Sequence, residues 1–556
     1  MIISEKTFPK TLQQLICQSV ENYSDRPSLS FVEGEPITYK QFGESVVQTQ
    51  KLLSGIGIAA NDKVAILSQN MPNWGIAYFA VTAMGAIVVP LLPDFSAIEI
   101  DNVLQHSETK AIFVSERLKD KVSQINSAAL KTKIKLDDFE IYENSSEIKH
   151  IDEPLNYTVS PDDLAAIIYT SGTTGKPKGV MLTHKNLCSQ LVQTYGCQAV
   201  NEYDIFLSIL PLSHTYENSC GLILGVFGGA ATYYLEKPAT SSVLLPALQK
   251  IRPTLILIVP LIIEKIFREK IIKKIKSSVI LKTLYRIAFF RKIMYKKASK
   301  QLYETFGGKL IFFGIGGAKL DPVVERFLFE GKKIPYAIGY GLTECSPLVT
   351  AAIVGGVKVS SAGYPVKNVE LCINNPNPVT GEGEIWMRGE NIMKGYYKNL
   401  ELTREVLTED GWFRSGDLGF IDKTGRLYIR GRLKNMILSS SGENVYPEEI
   451  ESVINNFKHV LESMVIERKG KLLAMVRFNY EELEKIYTQF TEDISQILEK
   501  LAEELRNYVN TRVNRASHIA IVIPLADEFE KTASQKIKRY LYTDSVINKY
   551  LKMIKN

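Results

Sequence analysis

Cysteine is scarce in this chain. Six residues in 556 are cysteine (Cys17, Cys188, Cys197, Cys220, Cys345 and Cys372), and no two form a CxxC pair. Scattered thiols in so long a chain exclude a disulfide framework, and the spacing of a zinc knuckle is missing. Long apolar runs are missing too. The longest, such as "LILIVP" and "LAAIIY", are too short to cross a bilayer. No opening stretch combines a basic flank, an apolar run and a small-residue cleavage site, so a secretory signal is not expected. There is no internal repeat and no long low-complexity segment.

A large excess of either charge is missing from most of the chain, where acidic and basic residues nearly balance. The net charge is +6. Residues 264–300 alone carry 13 Lys plus Arg against 2 acidic residues, an excess of 11 that leaves the remainder about five units negative. The positive charge belongs to one arm, so a nucleic-acid-binding protein is not indicated. Hydrophobic residues at 45% and charged residues at 23% are the composition of a soluble globular protein. The length implies two or three domains.

The first part of the chain alternates apolar runs with amphipathic stretches. "DKVAILSQN", "GAIVVPLLP", "KAIFVSE", "DLAAIIYTSG", "DIFLSILPL", "TLILIVP" and "KLIFFGIGG" each read as a buried strand. Tyr39 to Ile56 reads as a helix with Phe42, Val46, Val47 and Leu52 on its apolar side. Buried strands alternating with helices predict a mainly parallel sheet with helices on both faces. From about Gly363 short alternating runs and turn clusters predict antiparallel β structure, including a hairpin with Lys423-Thr424-Gly425 at its turn. The expected fold class is α/β: a large layered domain, 1–432, with an antiparallel portion, and a small mobile α+β domain, 433–556. In the small domain "AMVRFNY" and "HIAIVIPL" read as strands, and Ile494, Ile497, Leu498, Leu501 and Leu505 as one helical stripe.

One short segment suggests chemistry. "YTSGTTGKPKG", Tyr169 to Gly179, holds three glycines, four hydroxyl residues and two lysines. Glycines permit close backbone approach, hydroxyls donate hydrogen bonds and lysines add charge, which together suit phosphate. It is not a Walker loop: two residues, not four, separate Gly172 from Gly175, and Pro177 follows Lys176. Nor is "GIGG", Gly314 to Gly317, a dinucleotide fingerprint, because Lys319 holds the third glycine position.

Six further motifs follow in order: "PLSHTYE" (211–217), "GGAKL" (316–320), "GYGLTE" (339–344), "GWFRSGDLG" (411–419), "GRLKNMILSSSGENVYPEEIE" (431–451) and "KTASQKIKR" (531–539). The seven together resemble the adenylate-forming family of acyl-CoA synthetases, peptide-synthetase adenylation domains and luciferases. The resemblance implies that a carboxylate attacks the α-phosphorus of ATP, and that a thiol then displaces AMP from the acyl-adenylate.

The resemblance also implies roles. Ser171, Gly172, Thr173, Thr174, Gly175 and Lys176 form the pyrophosphate cradle. Thr173 and Glu344 hold Mg2+, which takes hard oxygen ligands. Gly317 and Ala318 lie against adenine and Tyr340, followed by Gly341 and Thr343, stacks on it. Asp417 takes the ribose hydroxyls, with Arg432 as a second contact. Lys434 is the hinge, and Gly442 lets the pantetheine of coenzyme A pass. Lys536 bridges carboxylate and α-phosphate, supplying charge where charge develops. His214 walls the carboxylate site and is not a base. One departure stands beside Lys536: Gln535 replaces the usual glycine.

"PLSHTYE" looks more like the long-chain fatty acyl-CoA synthetases than the amino-acid adenylation domains, which need a charged residue to fix the substrate amine. "CGLILGV", Cys220 to Val226, suits an alkyl chain or a core helix. The basic arm suits an anionic membrane surface, an acidic acyl carrier protein, or a solvated helical pair. The expectation is a cytoplasmic fatty acyl-CoA synthetase, peripheral on the inner face of the membrane in one reading. The alternatives are an acyl-acyl carrier protein synthetase and, should Gln535 mark a decayed site, a non-catalytic acyl or nucleotide sensor.

Overall fold

The computed structural model of the chain describes residues 7–125, 127–145, 147–153, 155–171, 177–438, 444–468, 470–487, 494–532, 536–543, 546–548 and 550. Each apolar run picked out above forms a strand, because a Val/Ile/Leu run can be covered on both faces only inside a layered sheet. They distribute over two large sheets, not one. An eight-stranded sheet is built around Lys63–Leu67, Ile87–Leu91, Ala111–Val114 and Leu164–Ser171, which pair in parallel. A nine-stranded sheet is built around Pro27–Phe31, Ile205–Ser208, Ala231–Tyr234, Leu255–Ile258, Phe312–Ile315 and Tyr336–Gly341, again in parallel. Helix Pro72–Ala83, with ten of its twelve residues buried, belongs to the largest core cluster, together with strand residues of both sheets such as Val64 and Phe206. An all-apolar helix needs cover on every side.

Helix Tyr39–Gly55 forms where its pattern placed it, with Thr38 and Gln41 closing a reciprocal cap at its start. Its buried face differs from the expected one. Phe42, Val46, Thr49, Gln50 and Leu53 are buried, while Val47 is 47% exposed and Leu52 only partly covered. Spacings of three and four set the face; Val47, one residue past Val46, is rotated about 100° from it.

The antiparallel portion is a four-stranded sheet of Val369–Asn374, Gly383–Gly389, Phe413–Ile421 and Leu427–Arg432. Asp422 closes the turn of its last hairpin, accepting from the backbone of Thr424 and Arg426. Beyond it, residues from Val445 onward build a core of their own. Strands Val460–Arg468, Lys471–Phe478 and Ile519–Leu525 form a three-stranded sheet covered by helices Pro447–Ile454 and Ile494–Asn510. Ile497, Leu501 and Leu505 of the expected helical stripe are buried. This unit meets the rest of the molecule through polar contacts: Arg430 to Glu449 at 3.2 Å, Tyr446 to Glu382 at 2.9 Å, and Asn456 to Asp321.

No helix among the described residues is long and apolar enough to cross a membrane. All six cysteines are free thiols.

Candidate active site

Open parallel sheets present their loops at the carboxyl ends of the strands. In the nine-stranded sheet three such ends converge. Ile205–Ser208 leads to His214, Phe312–Ile315 to the exposed Gly317 and Ala318, and Tyr336–Gly341 to Tyr340, Gly341, Thr343 and Glu344. Gly317 has φ +85°, a conformation that side chains disfavour. At Gly341 a Cβ would lie 1.7 Å from the Pro347 carbonyl oxygen. Glycine there lets the chain turn back tightly, with Leu342 N–H donating to that same oxygen at 3.0 Å.

The antiparallel sheet supplies the opposite wall. Asp417 and Arg432 are direct cross-strand partners, and Arg432 Nε meets Asp417 Oδ1 at 2.8 Å. Tyr340 donates its hydroxyl hydrogen to Asp417 Oδ2 at 2.6 Å, tying the two sheets together. Ser415 sits beneath, donating to the Ile385 carbonyl at 2.6 Å and accepting from Asp417 N–H at 3.0 Å. Asp417 is buried, and burial raises its carboxyl pKa; Arg432, Tyr340 and Lys536 oppose that rise. Arg432 also donates to the Ser415 carbonyl at 3.2 Å.

Glu344 rides on a short turn, Thr343–Cys345. Tyr396 donates to its Oε1 at 2.8 Å. Sequence reasoning missed Tyr396, since no motif marks it. Its place comes from strand pairing: Gly395 and Tyr396 pair with Met181 and Val180, on the strand that follows the glycine-rich segment. The hairpin Leu164–Ser171 and Pro177–Thr183 brackets that segment, with Ser171 opposite Pro177. Lys178 stands 5.4 Å over the Tyr396 ring, and burial, then Lys434, hold its pKa below the ordinary lysine value. The Ser171 side chain, Gly172, Thr173, Thr174, Gly175, Lys176, Gly442 and Gln535 lie outside the described residues.

Lys536 comes from the far end of the chain. Its turn is closed by Thr532 N–H donating to the Lys536 carbonyl at 2.8 Å and Lys536 N–H donating to Thr532 Oγ1 at 3.2 Å. Much of the residue is exposed, yet its ammonium stands in crowded company. Desolvation, then Arg432, lowers its pKa, while Asp417 and Glu344 raise it. The same charge reaches His214, whose pKa burial, first, and Lys536, second, depress to about 4. His214 Nδ1 accepts from Tyr216 N–H at 3.3 Å, so the imidazole is neutral at ordinary pH. Lys434 is exposed in the turn Leu433–Asn435, between Arg432 and the small unit.

Beside His214, Tyr216 lies against Gly314 and Gly316, where added Cβ atoms would approach it to 3.1 Å. Leu210, Cys220 and Leu257 are buried with it, and Val259 and Ile262 pack alongside. Most of "CGLILGV" is core: Leu222, Ile223, Leu224 and Val226 belong to the largest cluster, and only Cys220 reaches this smaller one. Glu217 is buried nearby and burial pushes its carboxyl up to about 8, with Ser208 pulling the other way.

An α/β body with two large sheets, its cleft lined by Asp417, Arg432, Glu344 and a lysine from a small terminal unit, defines the class of adenylate-forming enzymes. The family profile described as AMP-binding enzyme matches residues 17–397, and the chain belongs to that family of AMP-forming acid–thiol ligases. It is 29% identical to 4-coumarate--CoA ligase CCL1 of Humulus lupulus over 94% of this chain and 91% of that one. It is 28% identical to the chloroplastic long-chain-fatty-acid--[acyl-carrier-protein] ligase AEE15 of Arabidopsis thaliana, over 97% and 86%. Among solved structures it superposes on o-succinylbenzoate coenzyme A synthetase of Bacillus subtilis, in complex with ATP and magnesium ion. That match has a TM-score of 0.75, 23% identity, and covers 95% and 98% of the two chains.

Proposed function

We propose that this chain activates a medium- to long-chain fatty acid and passes it to coenzyme A. A carboxylate oxygen attacks the α-phosphorus of ATP and pyrophosphate leaves. The thiol sulfur of coenzyme A then attacks the acyl carbon, AMP leaves, and the thiol proton passes to solvent. One observation carries the reading: Lys536, from the end of the chain, shares a cleft with Arg432, Asp417, Glu344 and His214.

In that cleft Asp417 accepts from the ribose hydroxyls, held in place by Tyr340 and Arg432. Lys536 places positive charge against the pentavalent phosphorus as it forms. No proton need be removed from a carboxylate that is already ionised at neutral pH. His214, uncharged, keeps water from the carboxylate. The glycine-rich segment cradles the pyrophosphate, with Lys178 at its edge. Glu344 fits a magnesium site: Tyr396 occupies Oε1, and Oε2 has no donor among the described residues. Magnesium bound there, with Thr173, supplies charge neutralisation to the phosphates. Gly317 and Ala318 line the adenine.

The domain division belongs to the same proposal. Residues 433–556 form a mobile unit that rotates about Lys434 between the two steps and brings Gly442 to the pantetheine path. Its polar contacts with the body suit an interface that must open and close.

The fatty acid is proposed from the wall beside His214. Leu210, Cys220, Leu257 and Val259 are apolar, and the Glu217 carboxyl, which acts on Tyr216 and Cys220, is neutral below about pH 8. Among the described residues no fixed anion belongs to this cluster to hold an amino acid's ammonium. The enzyme meets such an acid in the cytoplasm, at the inner face of a membrane. Carboxylate-dependent exchange of labelled pyrophosphate into ATP, run with fatty acids of graded length, 4-coumarate and o-succinylbenzoate, tests this. Fatty acids are expected to support exchange most strongly. Preference for an aromatic acid would overturn the substrate, and silence with every acid would favour a sensor. Adding coenzyme A or acyl carrier protein to the adenylate separates the two thiols.

A further inference from the structure

The arm 264–300 ends in a helical corner whose outer surface has no cover. Helix Val279–Tyr285 buries none of its residues. Helix Ala288–Thr305 is anchored from its middle onward, where Tyr295, Ser299 and Leu302 are buried. Tyr295 packs edge-on to Phe327 of helix Pro322–Gly331, and its hydroxyl meets that of Tyr285 at 2.6 Å. Arg291 pairs with Glu330 of the same helix at 3.5 Å. The corner is therefore bolted to the body on one side. On the other it displays Val279 (82% exposed), Ile280 (72%) and Phe289 (68%), with Phe290, Ile287 and Ile293 beside them. The Phe289 and Phe290 rings lie edge-on to each other at 5.5 Å.

Six exposed apolar side chains within fifteen residues of one helical corner are a concentration that monomeric surfaces rarely leave unused. The charges that the corner's own segment carries are all of one sign. Lys273, Lys276, Lys282, Arg286, Lys292 and Lys296 are exposed, and none has an ion-pair partner among the described residues. Between Lys270 and Tyr303 there is no acidic residue.

We infer that this corner docks the enzyme on a bilayer containing anionic lipids. Phe289, Phe290, Val279 and Ile280 enter the headgroup boundary, while the lysines and Arg286 pair with lipid phosphates. Charge complementarity decides the occupant together with shape. Exposed aromatic and branched residues ringed by unpaired lysines suit insertion among anionic headgroups. The arm leaves the body at Val259 and Ile262, which pack in the cluster containing Tyr216 beside His214. The purpose of the contact, access to membrane-partitioned fatty acid, rests on the proposed substrate; the contact itself does not.

Sedimentation of the full chain with phosphatidylcholine vesicles, with and without phosphatidylglycerol, tests the inference without any substrate. Binding is expected to the anionic vesicles and not to the neutral ones, and to fall at high salt. Phe289→Ser with Phe290→Ser, and separately Lys282→Gln, Arg286→Gln and Lys292→Gln together, should each weaken it by on the order of tenfold or more. Thermal unfolding and pyrophosphate exchange should be unchanged in both variants, which shows that each is folded. Equal binding to neutral vesicles, no binding at all, or full binding by the folded variants would overturn the docking surface. So would capture of acyl carrier protein with no vesicle binding, or an apolar patch covered by a second copy in solution. If vesicles bind but exchange prefers an aromatic acid, the surface stands and the substrate falls.

Discussion

Tyr340 and Asp417 share a 2.6 Å hydrogen bond across the seam between the nine-stranded and four-stranded sheets. Asp417 is thus gripped twice, since Arg432 holds its other oxygen at 2.8 Å. The carboxylate is buried and cannot turn to follow solvent. It is presented in one orientation before any nucleotide arrives.

Removing one grip should cost binding more than turnover. Tyr340→Phe deletes a hydrogen bond to a charged acceptor, a change of about 1.5–3 kcal/mol. The KM for ATP in the exchange reaction should rise by roughly 10- to 100-fold, with a smaller effect on kcat. An unchanged KM would show that Asp417 does not depend on Tyr340.

Glu217 should make stability fall with rising pH. Its folded pKa is about 8 against an ordinary 4.5. Between those values the folded chain keeps a proton that the unfolded chain has released, so unfolding releases a proton and stability declines as pH rises through the window. Above about 8 the decline levels off. Tyr216, Cys220 and Tyr234 surround the group, and all are raised in pKa themselves. Glu217→Gln removes the titration, so its Tm should be flatter from pH 5 to 8 than the parent's. Parallel curves would contradict the burial account.

His214 should stay neutral throughout the working range. Burial and the Lys536 charge depress it to about 4. NMR of histidine-labelled protein should show two rings that do not titrate above about pH 5.5, that of His184, which burial also depresses to about 4, and one that vanishes in His214→Ala; the ordinary value is about 6.5. The Lys536→Ala change should shift that ring's pKa upward. Titration near 6.5 in the parent would return His214 to candidacy as a base.

Much of this was legible in the residues. Strands such as Ala111–Val114 and Leu255–Ile258 are continuous apolar runs, and helix Ile494–Asn510 has a clean stripe. Asp417, Arg432, Glu344 and Lys536 lay inside motifs, so their meeting could be expected. What the sequence hid depends on pairing. Nothing in the pattern says that the strands divide between two sheets. Nothing in "MKGYYKNL" says that Tyr396 pairs with Val180 and so reaches Glu344. Val47 looked apolar enough to be core, but its angle on the helix put it outside. The depressed His214 and raised Glu217 pKa values come from burial, which one segment cannot reveal.

In the proposed mechanism Lys536 supplies charge in the first half-reaction alone. Lys536→Ala should lower pyrophosphate exchange by at least about 100-fold, the scale of a lost electrostatic contact at a reacting centre. The same variant, given preformed acyl-adenylate and coenzyme A, should release AMP and form thioester at a rate close to the parent's. Exchange at the parent rate in Lys536→Ala would contradict the account.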